Sequence, residues 1–348
     1  MDNQIKEKIS IEVIKTLVSR FETFPEDASN NRNAPFHEAF LNAFTDEFGD
    51  RVSDIPFFIS LSSWMHGLNT TLGQTFFENI AQLLSDGEKR EYTSKKLGNL
   101  PILKTQKDSI NDLMTDLSNS VVKPNLENED KKINIDDKSE EVDAIDFSAD
   151  VYFEDENEVV AIELKSVKPN SGEMRGEKRK ILEGKAAFFK KYGDSKSIRF
   201  LIGFPFDPTS EESTASNKEK FLGSIINMNK FFHIDETLVA NELWDYLSGE
   251  ENTMENILEI INQISTTDFM TKYKILNNGV SKTSKDYTDI LKSWNLYSEL
   301  ELSENYELLE KNIEGDKRLI KWLNKNCFDN KGAYRFDRYN LLVDYIEN

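Results

Sequence analysis

Cysteine and histidine are nearly absent: the 348 residues hold one cysteine, Cys327, and three scattered histidines, His37, His66 and His233. One thiol excludes a disulfide framework and a cysteine-built zinc site. Isolated histidines read as packing or surface residues. No apolar run approaches the ~18 residues that span a bilayer, which excludes a membrane partner. The opening Met1-Asp2-Asn3-Gln4-Ile5-Lys6 lacks a signal-peptide pattern, so a cytoplasmic protein is expected. No Gly-x-x-x-x-Gly-Lys-[Ser/Thr] phosphate loop occurs, which disfavours an ATP-driven motor. No internal repeat is visible.

Positive charge is also scarce, with 43 Lys and Arg against 63 Asp and Glu and a net charge of −20. Taken whole, that argues against a polyanionic partner. Its distribution argues otherwise. Between Glu163 and Phe200 there are 11 Lys and Arg against 5 Asp and Glu, a local +6.

That basic stretch follows two β-rich runs, Ala149 to Phe153 and Val159 to Lys165, around a polar turn. They read as an antiparallel hairpin. Asp150 starts one run, and Glu163 and Lys165 end the other. Strand side chains alternate, so Glu163 and Lys165 share a face. A turn centred between Glu156 and Asn157 sets Asp150 opposite Glu163, with Cβ atoms about 5 Å apart. Buried charge of this kind needs a reason, and a hard divalent cation such as Mg²⁺ supplies one.

Elsewhere the pattern is largely helical. Helices are expected near 4–20, 35–48, 55–65, 70–84 and 102–118. In Thr70–Leu84, Glu78 lies at the edge of an apolar stripe and reads either as a solvated residue or as a third acid of the same site. Residues 120–141 are polar and read as a mobile loop. A helix from about Glu173 stops at Gly193; its first turns, nearly free of apolar residues, should face something polar. Ile198–Phe204 is a nearly continuous apolar strand, as in a strand covered on both faces. Strand, helix, strand implies a crossover, giving an α/β core: a mixed sheet flanked by helices. Helices are also expected at 218–232, 236–248 and 253–265, and over 287–348. The expected units are a helical region 1–69, a core 70–235 with a mobile acidic loop at about 120–145, and a helical region 236–348. The aromatic and basic tail Lys331–Tyr339 reads as a surface helix or a further nucleic-acid contact.

The triplet [Asp/Glu]-x-Lys also occurs at Glu129, Asp136 and Glu183, but only Glu163-Leu164-Lys165 ends an apolar strand after a hairpin bearing Asp150. Asp150, twelve intervening residues and Glu163-Leu164-Lys165 resemble the PD-(D/E)XK nuclease motif, with Ala149 in place of its proline. Type II restriction endonucleases of that superfamily often place an additional acid on an upstream helix, where Glu78 stands. Three longer stretches resemble the TdeIII-type enzymes: Glu163 to Lys180, Gly203-Phe204-Pro205-Phe206-Asp207-Pro208, and Glu242 to Gly249. That family is associated with GGNCC.

The resemblance implies a restriction-endonuclease-like fold and Mg²⁺-dependent cleavage of double-stranded DNA. Asp150 and Glu163 would hold metal, with Glu78 as a further ligand, and Lys165 would serve the attacking water. Lys168, Arg175, Lys178, Arg179 and Lys180 would contact DNA. A two-fold-symmetric target implies a homodimer. No [Asn/Asp]-Pro-Pro-[Tyr/Phe] segment occurs, so a protective methyltransferase would be a separate protein. Two other readings remain at this point: a repair or structure-specific nuclease of the same superfamily, and a non-enzymatic interaction module whose hairpin charges merely pair.

Overall fold

The computed structural model describes all residues except 27–34, 49–51, 53, 166–170, 279–281 and 347–348. The chain divides into two compact units, one of Phe77–Asn256 and one of Met1–Phe76 with Ile257–Asn348.

Among its described residues the Phe77–Asn256 unit holds seven strands: β1 (Glu88–Tyr92), β2 (Pro101–Leu103), β3 (Glu141–Asp143), β4 (Phe147–Glu154), β5 (Glu158–Leu164), β6 (Ser197–Phe204) and β7 (Thr237–Val239). Five form one sheet in the order β1-β4-β5-β6-β7, and β2 pairs with β3 apart from it. The β1-β4-β5 side is antiparallel and the β5-β6-β7 side parallel, so the sheet is mixed. Val159 to Ile162 are all fully buried, as expected for a central strand covered on both faces.

The helix Ser171–Tyr192 joins β5 to β6. Phe188 on this helix meets Phe147, Phe200, Tyr92 and Tyr152, ring against ring. Gly184 permits the approach: a Cβ there would lie 2.7 Å from the Phe200 ring.

Three expectations need correction in this unit. The segment expected to be a mobile loop folds as the helix Leu126–Ile133 and β3. Asn125 caps that helix, and Glu129 and Ile133 are buried. Its inward face escaped notice because half of it is a carboxylate with a distant partner. The helix expected from 236 is instead β7 followed by the helix Asn241–Ser248. A three-residue edge strand is too short to show a period, and Ala240 at φ 53° separates the two elements. With β7 completing the sheet, the unit runs past 235, to Asn256. Finally, the expected helix 70–84 is divided: helix Ile55–Thr71, a π-helical turn Leu72–Phe76, then helix Phe77–Ser85.

The other unit is helical among its described residues, with a centre of stacked Phe269, Tyr273 and Trp294 rings. The tail 331–339 is helical only from Phe336, and that helix turns Arg338 inward. Arg338 is 1% exposed and pairs with buried Glu299, which also accepts the Tyr287 and Tyr334 hydroxyls. Tyr334 and Arg338 of the tail thus belong to a buried polar hub, which removes Arg338 from any nucleic-acid contact, while Lys331 and Phe336 remain exposed. No helix among the described residues is long and apolar enough to cross a membrane.

Candidate active site

The β4–β5 ladder pairs Val151 with Ile162, Tyr152 with Ala161 and Phe153 with Val160. This is the expected register; the pairing ends at Val151 and Ile162, one position short of Asp150 and Glu163, whose charges still act on each other. The Asp155 carboxylate fixes the turn by accepting the Asn157 and Glu158 amides at 2.7 and 2.8 Å. On the other edge of β4 the register slips: Glu88 pairs with Tyr152 but Arg90 with Ala149. Lys89 alone therefore faces two residues, Asp150 and Val151. Such a bulge re-aims side chains.

Asp150 is buried, and its Oδ2 accepts the Leu164 amide at 2.9 Å. Its Oδ1 lies 3.2 Å from Lys89 Nζ, and the same ammonium is 2.8 Å from Glu78 Oε2. Glu163 Oε1 lies 3.0 Å from Lys165 Nζ, and Ser148 donates to Glu163 Oε2 at 3.4 Å. Lys165 also faces Glu177 at 3.4 Å and Glu173 at 3.8 Å. Its backbone amide is held by the Gly203 carbonyl at 2.8 Å, so β6 fixes the strand end.

The electrostatics follow from that packing. Burial, and then the Asp150 charge, push the Glu163 carboxyl up to about 7, against the pull of Lys165. Glu78 is raised too, by burial first, with Lys89 opposing. Burial alone would lower Lys165, but Glu163 and Glu177 outweigh it and the ammonium is raised. The arrangement is two acids around Lys89 on one side and three acids around Lys165 on the other. Among the described residues, no three His, Cys, Asp or Glu stand together as a ready-made metal cage.

A family model described as type II restriction endonuclease, HinfI, matches residues 1–265. The type II restriction enzyme MjaII of Methanocaldococcus jannaschii is 41% identical over 366 aligned positions, covering 99% of this chain and 97% of that protein. The chain belongs to the HinfI family of type II restriction endonucleases. It is a site-specific nuclease, and the interaction-module reading falls away. Neither match bears on the TdeIII-type likeness or on GGNCC.

For this restriction endonuclease, the expected DNA contacts divide. Arg175 is exposed and has no ion pair among the described residues. Lys168 lies outside the described residues. Arg179 meets Glu183 at 3.1 Å and donates to Asn111, and Lys180 meets Glu177 at 3.0 Å. Lys178 is wrongly assigned to DNA: it is fully buried, between Glu129 and Glu236. The first turns of its helix do not project outward as expected. Met174, Glu177, Lys178, Ile181 and Leu182 form one buried face, and two of the five are charged.

Sequence reasoning missed Lys89 as a site residue, and also Glu177 and Glu173. Lys89 gave no signal, because an edge strand reading Glu-Lys-Arg-Glu-Tyr has no apolar alternation. Glu177 did give one: it sits three residues after Met174 and four before Ile181, in step with the helix.

Proposed function

We propose that this enzyme hydrolyses phosphodiester bonds of double-stranded DNA with Mg²⁺ held by Asp150 and Glu163, as in the PD-(D/E)XK nucleases. The observation that carries this reading is the hairpin register, Val151 opposite Ile162, which ends one position short of the two interacting carboxylates, with Lys165 Nζ 3.0 Å from Glu163. The donors suit the ion: Mg²⁺ takes one or two carboxylates and keeps several waters. Glu78, joined to Asp150 through Lys89, is the third candidate ligand. When bound, the ion would polarise the scissile phosphate, acidify a water and stabilise the leaving oxygen.

The chain's own residues supply the rest. Lys165 is held as an ammonium by Glu163 and Glu177, so at neutral pH it donates hydrogen bonds rather than accepting a proton. Its part is to orient the attacking water and offset charge in the transition state. Arg175, exposed on the outer side of the helix start, is the cation best placed to meet DNA, with Lys168 preceding it in sequence. Arg179 and Lys180 would have to leave their partners. A symmetric duplex target favours a homodimer with two catalytic centres, acting in the cytoplasm beside a separate methyltransferase. The TdeIII-type strings support GGNCC as the site.

Digesting a plasmid of known sequence with Mg²⁺ and mapping the ends tests this reading. Discrete ends at GGNCC are expected, and none with Glu163→Ala. Discrete ends at another sequence would replace GGNCC. A smear would favour a repair-type nuclease, and retained cutting by Glu163→Ala would remove that residue from the chemistry.

A further inference from the structure

Lys89 stands where a divalent cation is wanted. Its ammonium touches Glu78 and Asp150 at 2.8 and 3.2 Å, and among the described residues neither acid has a second cationic partner. The side chains of Glu78 and Asp150 are 13% and 10% exposed, against 38% for Lys89. Two carboxylates held so close repel each other unless a cation lies between them. Lys89 is on an edge strand, aimed by the bulge opposite Asp150, and its long flexible stem can swing to solvent without disturbing a core. Lys165 differs. It is 14% exposed and held by three carboxylates, Glu163, Glu173 and Glu177. One lysine is exchangeable and the other fixed.

We propose that Lys89 is a built-in counter-ion, which occupies the Glu78 and Asp150 oxygens in the metal-free protein and yields them to a divalent cation. This deepens the proposed metal chemistry and rests on it. It means that Mg²⁺ binds the free protein against competition from the protein's own ammonium. It also means that the acids stay together before the metal arrives.

The test is Mg²⁺ binding to the full chain without DNA, by calorimetry, with thermal unfolding in parallel. Wild type, Lys89→Met and Lys89→Arg are compared. Lys89→Met should bind Mg²⁺ about fivefold tighter than wild type, the factor expected from removing one partly exposed competing ammonium. Its Tm should be lower than wild type in metal-free buffer and should recover with Mg²⁺. Lys89→Arg should stay near wild type. Lys89→Gln serves in place of the Met variant if that one fails to fold. Equal or weaker Mg²⁺ binding by the neutral variants overturns the counter-ion role while leaving the metal chemistry standing. Absence of Mg²⁺ binding in every variant, with and without duplex DNA, overturns the metal chemistry itself.

Discussion

Lys178 Nζ lies 2.6 Å from Glu236 Oε1 and 2.5 Å from Glu129 Oε2, with all three side chains withdrawn from solvent. One ammonium thus ties the helix Leu126–Ile133, the helix Ser171–Tyr192 and the turn before β7. The acids have second duties: Glu236 accepts the His233 amide at 2.7 Å and Glu129 the Asn125 amide at 3.0 Å. Burial would lower Lys178, but Glu236 and Glu129 outweigh it.

Removing that ammonium leaves two buried carboxylates uncompensated. Lys178→Ala should therefore cost about 3–5 kcal/mol in urea unfolding. Because the residue never reaches solvent, any protein that still folds should cut at unchanged positions. A stable Lys178→Ala enzyme with relaxed site choice would return Lys178 to the DNA.

Glu177 is buried beside Lys165 at 3.4 Å and Lys180 at 3.0 Å, so in the proposed mechanism it would position the Lys165 ammonium. Glu177→Gln keeps the shape and loses the charge. Cleavage should slow about tenfold, as with other groups that orient a working side chain. Plasmid cleavage at saturating enzyme checks this, with Tm as the control. A fall in Tm with unchanged cleavage would make Glu177 purely structural.

Most of the sheet was legible in the sequence. The hairpin register followed from turn chemistry and alternation, which are local. What was illegible depended on distant partners. The helix Leu126–Ile133 looked disordered because Glu129 reads as solvated until Lys178, 49 residues on, is found to meet it. For the same reason the basic start of the helix Ser171–Tyr192 looked like a DNA-reading surface. Charge on a buried face has no signature of its own in a chain that is 30% charged.

Arg175 is the exposed cation left on that helix start. Arg175→Ala should weaken duplex binding about tenfold and lower the salt slope by about 1 if it meets phosphate. If it reads a base edge instead, the loss should fall on cognate duplex only. Binding isotherms on cognate and unrelated duplexes at several salt concentrations separate the two. Unchanged binding to both would move the DNA contact elsewhere.

The single thiol gives a chemical check on the helical unit. Cys327 is fully buried, donates to the Leu276 carbonyl at 3.3 Å, and is pushed up to about 12, chiefly by burial. Only thiolate reacts readily. The native protein should resist a thiol reagent at pH 8 and react with one equivalent in guanidinium. Rapid native labelling would show that this unit opens.

Lys282 gives the same unit a pH dependence of known sign. It is buried, donates to the Lys325 carbonyl at 2.7 Å, and is lowered to about 8, by burial first and then by Arg338. Between pH 8 and its ordinary 10.5, the unfolded chain binds a proton that the folded chain does not. Stability from this group therefore rises with pH across that window. Lys282→Met loses the hydrogen bonds at every pH but has no proton to bind. The stability of wild type relative to Lys282→Met should thus increase from pH 7.5 to 9.5 in urea unfolding. A constant difference would mean that Lys282 stays charged in the fold.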